Sequence, residues 1–175
     1  MDTNLVAQMI VNSVSFAKHA HIDLPFTPND AIRFHDRTTP YIVHPIWCAM
    51  TIMTETTLSE SLRLSGCQAL MWHDVLEDTH AELPIDASRE VCQLIQDMSF
   101  ANFADERAGI WHRSKEVRLL KLYDKTSNLL DASHYTVEKW NTYVDFTRSL
   151  ITDVENNYGQ LNIIKIAKSV AINKP

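Results

Sequence analysis

The chain reads as an all-α protein, a compact bundle with one long loop. Three observations carry this. Apolar residues recur at three- and four-residue intervals through most of the sequence. Three glycines and six prolines leave little material for hairpin turns. A length of 175 residues with an ordinary apolar fraction suits one domain, spanning 1–175.

The first helix is expected from Thr3 to about His21, with Leu5, Val6, Met9, Ile10, Val14 and Ala17 on its apolar positions and Thr3 or Asn4 as cap. "IDLPFTPNDAIRFHDRTTPY" then breaks the pattern with three prolines, which marks a long loop with one helical turn around 30–34. In "HPIWCAMTIMTET", Pro45 fits a first helical turn, which puts His44 at a helix start. A further helix begins near Ser59, and Gly66 either ends it or lies inside it. The helix bearing His73 is expected to start soon after.

"ELPIDA" reads as a turn and "SREVCQLIQDMSF" as a short helix, while "ANFADERAGIW" is ambiguous. A strong helix is expected over 115–133. The next runs from an imperfect capping box at Thr136, with Lys139 three residues on, to a stop at Gly159, and "LNIIKIAKSV" closes the series.

A net charge of −6 argues against a nucleic-acid binder but allows a nucleotide as ligand. Cys48, Cys67 and Cys92 are odd in number and widely spaced, so they read as reduced, buried thiols. The first residues lack a basic region followed by an apolar run, and no stretch approaches the ~18 apolar residues of a membrane span. A cytoplasmic location and no membrane partner are expected.

The stretch "ALMWHDVLEDTH" (69–80) places His73, Asp74, Glu77 and Asp78 behind an apolar lead-in. On a continuous helix His73 and Glu77 share one face, and Asp74 and Asp78 another ~100° away. A bound cation would turn the repulsion among these acids into attraction, whereas a solvated helix end needs none. His44 and Asp124 favour the cation, since Asp124 lies among leucines where an unpaired carboxylate is costly. Two imidazoles and two carboxylates suit one divalent transition metal, Mn²⁺ first, then Co²⁺, Zn²⁺ or Fe²⁺.

"FAKHAH" (16–21), "TPYIVHPI" (39–46), "ALMWHDVLEDT" (69–79) and "LLKLYDKTSNLLDA" (119–132), with a weaker echo in "TVEKW" (136–140), resemble the HD superfamily of metal-dependent phosphohydrolases. The nearer resemblance is to the RelA/SpoT-type hydrolase domain and the small stand-alone (p)ppGpp hydrolases. It implies an HD-domain helical bundle, and this sequence adds a long loop before the first metal-ligand helix. His44, His73, Asp74 and Asp124 are implied as metal ligands, Glu77 and Asp78 as the acidic pair beside the attacking water, and Asn128 as a substrate contact. Lys125 stands where the family has Arg or Lys. The family's Gly-Gln-x-Arg-Lys run is missing after His21, and Arg33 or Arg37 of the longer loop are the expected replacements.

Independently of that likeness, Arg118, Lys121 and Lys125 fall at i, i+3 and i+7, a cationic stripe that reads as a phosphate clamp. The alternative is a solvated face with Glu116 and Asp131 in ion pairs. His21 is expected to make a structural hydrogen bond, His35 to be a solvated loop histidine, and the four tryptophans to be core. The implied function is hydrolysis of a nucleotide phosphoester, first the 3′-pyrophosphate of (p)ppGpp. A deoxynucleotide phosphohydrolase (phage-type triphosphohydrolase or 5′-nucleotidase) and a non-catalytic HD nucleotide sensor are the alternatives. The expected partner is a small nucleotide, and a homo-oligomer is compatible.

Overall fold

The computed structural model describes residues 3–172, and these form a helical bundle. In chain order the helices are α1 (Thr3–Asp23), α2 (Val43–Met53), α3 (Glu60–Trp72), α4 (Val75–Asp78), α5 (Arg89–Met98), α6 (Phe103–Gly109), α7 (Lys115–Leu130), α8 (Val137–Tyr158) and α9 (Asn162–Val170). Short 3-10 turns stand at Pro28–Ala31, Ile110–His112 and Ala132–His134. None of the described helices is long and apolar enough to cross a membrane.

Side-chain caps set several starts. The hydroxyls of Ser59, Ser88, Ser114 and Thr136 accept from the backbone N–H three residues on, so each satisfies a donor that a helix start leaves open. Asn102 does the same for α6, which makes a helix of the ambiguous "ANFADERAGIW". Gly159 ends α8 at φ +73°, as its position suggested.

α9 has no side-chain cap of its own. Instead the buried Glu55, beyond the end of α2, accepts from Asn162 N–H at 2.9 Å, Ile163 N–H at 2.8 Å and Tyr123 Oη–H at 3.1 Å. A carboxylate at a helix N-terminus meets both open N–H groups and the positive end of the dipole.

Helix α7 is the axis of the bundle. Leu119, Leu120, Leu122 and Tyr123 are wholly buried, and residues on every face of the helix are enclosed, as expected for one packed on all sides. Gly66 is interior to α3: a Cβ there would lie 2.7 Å from Ile52 Cδ1 and 3.1 Å from Leu120 Cδ2. Its missing side chain permits the close approach of α2, α3 and α7.

Several expectations are corrected. The stretch 69–80 is not one helix, because α3 stops at Trp72 and α4 is a separate turn after His73 and Asp74. Helix α7 ends at Leu130 rather than residue 133, and a 3-10 turn follows. Trp111 is 41% exposed and not core, while Cys92 is only partly enclosed.

The loop after α1 is ordered by backbone pairing. Arg33 N–H donates to Thr39 O at 2.7 Å and Tyr41 N–H to Ala31 O at 2.8 Å, so residues 31–33 and 39–41 run side by side. Asp36 closes the tip by accepting from the N–H groups of Thr38 and Thr39 and from Thr39 Oγ1, with Arg37 left-handed at φ 61°. At its start, Phe26 N–H donates to Asp78 O and His80 N–H to Leu24 O. The loop is therefore tied to the backbone that carries the acidic residues.

Candidate metal centre and adjoining cavities

His44, in the first turn of α2, His73, just past α3, and Asp124, mid-α7, each direct one ligand atom to a common point, all within 4.8 Å of one another. His44 Nε2 and His73 Nε2 stand 3.2 Å apart. Asp124 Oδ1 lies 3.5 and 3.8 Å from these nitrogens. Asp74 Oδ2 lies 3.4 and 3.1 Å from the same two nitrogens, beside this group of three. All four residues are buried.

The outward hydrogen bonds fix what the inward atoms are. His73 Nδ1 is 2.7 Å from Leu70 O, which only accepts, so Nδ1 carries the hydrogen and Nε2 of the neutral ring bears a lone pair. His44 Nδ1 lies 2.8 Å from Ser127 Oγ, a hydroxyl able to donate or to accept; with Nδ1 as donor there, His44 Nε2 also presents a lone pair. Nitrogen lone pairs and carboxylate oxygens brought this close repel unless a cation or a proton lies among them. The donor set, with the second nitrogen of each ring held by the protein, fits a divalent transition metal. This buried group can hold such an ion.

The electrostatics favour positive charge at this point, and with no ion bound a proton on His73 takes that place. Burial alone would lower the His73 pKa, but the charges of Asp74 and Asp124 outweigh it and raise it to about 9. Burial likewise opposes ionisation of Asp74, yet His73 and His44 hold its carboxyl below the usual range. Lys125 and Lys121 do the same for Asp124 against its burial.

A cavity of about 240 Å³ opens over this point, walled by Glu77, Asp78, Glu106, Lys121, Lys125 and Asn128 among others. Glu77 stands at the rim, pinned where Phe100 N–H donates to its Oε1 at 3.3 Å. Its carboxyl is raised by desolvation and by Asp74, and the same two causes push Asp78 up to about 7. Lys121 and Lys125 are buried but paired: Lys125 Nζ lies 2.8 Å from Glu106 Oε2 and 3.2 Å from Asp124 Oδ2, and Lys121 Nζ 3.1 Å from Asp124 Oδ2.

A second cavity of about 400 Å³ shares Tyr41 and Asn128 with the first. Its other walls include Arg33, Phe34, Asp131, Tyr135 and Lys139. Arg33 is buried and donates to Asp131 Oδ2 at 2.9 Å and Asn128 Oδ1 at 3.1 Å.

The expected substrate residues therefore divide. Lys121, Lys125, Asn128 and Arg33 line the cavities. Arg118 does not, because α8 claims it: Nε donates to Asp153 at 2.8 Å and Nη1 to Arg113 O. Arg37 stays on the exposed loop tip over the Phe34 ring, 4.3 Å from its centre. His21 is buried beside Tyr41, and neither ring nitrogen has a hydrogen-bond partner among the described residues; burial lowers its pKa to about 4. The expected structural hydrogen bond is absent there.

Sequence reasoning passed over Tyr41, Ser127 and Glu106. The first two stood inside motifs already quoted. Glu106 gave no local signal, since its lysine partners lie on another helix.

No protein-family profile matches the chain. Curated relatives do. A Xenopus tropicalis protein named guanosine-3′,5′-bis(diphosphate) 3′-pyrophosphohydrolase MESH1 is 27% identical over 145 residues, 77% of this chain and 75% of its own. Its Danio rerio namesake is 33% identical over 59% of this chain and 61% of its own, and the Homo sapiens one 30% identical over 60% and 63%. A solved structure, described as a metazoan ortholog of SpoT that hydrolyzes ppGpp, matches with a TM-score of 0.62 at 21% identity over 93% of both chains, so the two share a fold. By sequence the chain is similar to these pyrophosphohydrolases, and it shares the fold of the solved one.

Proposed function

We propose that the chain is a metal-dependent hydrolase of nucleotide phosphoesters, and that it removes the 3′-pyrophosphate of (p)ppGpp. The observation that carries this is the convergence of two imidazole lone pairs and two buried carboxylates beneath a cavity that also holds two buried lysines. The names of the relatives supply the substrate.

In this reading His44, His73, Asp74 and Asp124 hold one divalent ion, Mn²⁺ by preference, within a single HD-type domain over 1–175. When bound there, such an ion supplies Lewis acidity toward phosphoryl oxygen and acidifies water. The protein does the rest. Glu77 or Asp78, both raised toward neutrality, accepts one proton of the attacking water as its oxygen bonds to phosphorus; the P–O3′ bond breaks, pyrophosphate leaves, and the ribose 3′-oxygen takes up a proton to become the hydroxyl. Lys121 and Lys125 meet the charge on the phosphoryl oxygens. The larger cavity, with Phe34, Tyr135 and Arg33 on its walls, offers flat apolar and cationic surfaces for the nucleoside.

A nucleotide panel with added Mn²⁺, resolved by chromatography, tests the proposal. Pyrophosphate released from ppGpp supports it. Tripolyphosphate or orthophosphate released only from deoxynucleotides moves the assignment to that class. Binding without turnover makes the chain a sensor.

A further inference from the structure

We infer that Arg33 is a positioning residue for the metal centre, acting through Asn128 on the metal-facing oxygen of Asp124. The inference rests on the metal reading above and adds to it a device in the long loop. A side-chain amide can sit in either of two orientations, and its neighbours decide which. Here Asn128 is gripped at both ends: Arg33 Nη2 donates to its Oδ1 at 3.1 Å, and its Nδ2 donates to Asp124 Oδ1 at 2.7 Å. A guanidinium has only donors, so the Asn128 oxygen must face Arg33 and its N–H₂ must face Asp124. Asp124 Oδ1 is the oxygen that points to His44 and His73, whereas Oδ2 is taken by Lys121 and Lys125.

Arg33 is itself held rigidly. It is 6% exposed, its Nε is bound to Asp131 at 2.9 Å, its guanidinium lies over the Tyr41 ring at 5.4 Å, and its N–H is paired with Thr39 O. A residue of the loop thus sets the direction of a hydrogen bond at the centre, and it does so from the wall of the larger cavity.

The sign of the effect separates this relay from plain electrostatics. Removing a positive charge near a cation site should tighten cation binding. Removing the group that orients Asn128 should weaken it.

The test is Mn²⁺ affinity by calorimetry, without nucleotide, on the wild type, Arg33→Ala, Arg33→Lys, Asn128→Ala and the double alanine variant, with far-UV circular dichroism confirming the helices. Arg33→Ala and Arg33→Lys are each expected to bind Mn²⁺ roughly 10-fold more weakly, the scale of a lost outer-shell partner. The lysine variant keeps the charge but not the fork. The double variant should be no weaker than Asn128→Ala alone, since both act on one hydrogen bond. If Arg33→Ala does not fold, Arg33→Lys and Asn128→Ala report the same quantity. Unchanged or tighter binding in the Arg33 variants, or additive losses in the double, overturns the relay alone. A wild type that binds no Mn²⁺ overturns the centre and the relay with it.

Discussion

Tyr41 donates its phenolic hydrogen to Asp74 Oδ2 at 2.6 Å, the oxygen that also faces both metal-site imidazoles. Burial, together with the charges of Asp74 and Asp78, raises the Tyr41 pKa, so the hydroxyl remains a donor at ordinary pH. Tyr41→Phe removes one oxygen and leaves the ring. The expected outcome is roughly 10-fold weaker Mn²⁺ binding in calorimetry with an unchanged circular dichroism spectrum.

The ligands and the acidic pair should separate into two phenotypes. Asp74→Ala is expected to abolish Mn²⁺ binding and turnover together. Glu77→Gln is expected to keep Mn²⁺ affinity while turnover falls by about 10²–10⁴, the usual range for a lost general base. Paired binding and steady-state assays on the two variants check this, and full activity in Glu77→Gln would pass the proton to Asp78.

Chelation should expose the internal repulsion of the centre. With free Mn²⁺ at about 100 times its dissociation constant, binding adds about 2.7 kcal/mol to stability, or about 8 °C in melting temperature for a chain of this size. The shift should disappear with a chelator and be absent in Asp124→Ala, as read by scanning calorimetry.

Glu55 offers a stability prediction unrelated to chemistry. Glu55→Ala strips the acceptor from two backbone N–H groups at the start of α9, the Ile163 one buried, and from the Tyr123 hydroxyl. A loss of about 3 kcal/mol is expected in urea titration, and Glu55→Gln, which keeps an acceptor, should lose less.

The helices were legible because their apolar spacing and their Ser and Thr caps are local signals. Four of those caps bond the N–H three residues ahead. The break after Trp72 was not legible, and its cause is geometric. Neighbours on a continuous helix point ~100° apart. Leaving the helix at His73 lets its Nε2 come within 3.1 Å of Asp74 Oδ2, while Nδ1 takes the Leu70 carbonyl.

The stripe Arg118–Lys121–Lys125 failed at one end for a related reason. A shared face is not a shared site: seven residues put Arg118 ~10 Å along the axis from Lys125, where Asp153 meets it. Glu106 could not be read because its worth depends on which helix packs over α7. The motif residues His44, His73, Asp74 and Asp124 were visible as types and order, while the hydrogen bonds that aim them at one point are properties of the folded chain.

Gly66 carries a further consequence. It sits where three helices cross, and each of those helices leads to a ligand: α2 to His44, α3 to His73 and α7 to Asp124. A methyl group added there meets Ile52 Cδ1 and Leu120 Cδ2, the ends of two fully buried side chains, so something must shift. Any spreading of the rods to make room would widen the point at which His44, His73 and Asp124 meet. A residue with no side chain, remote from those three, thus helps to gauge their spacing.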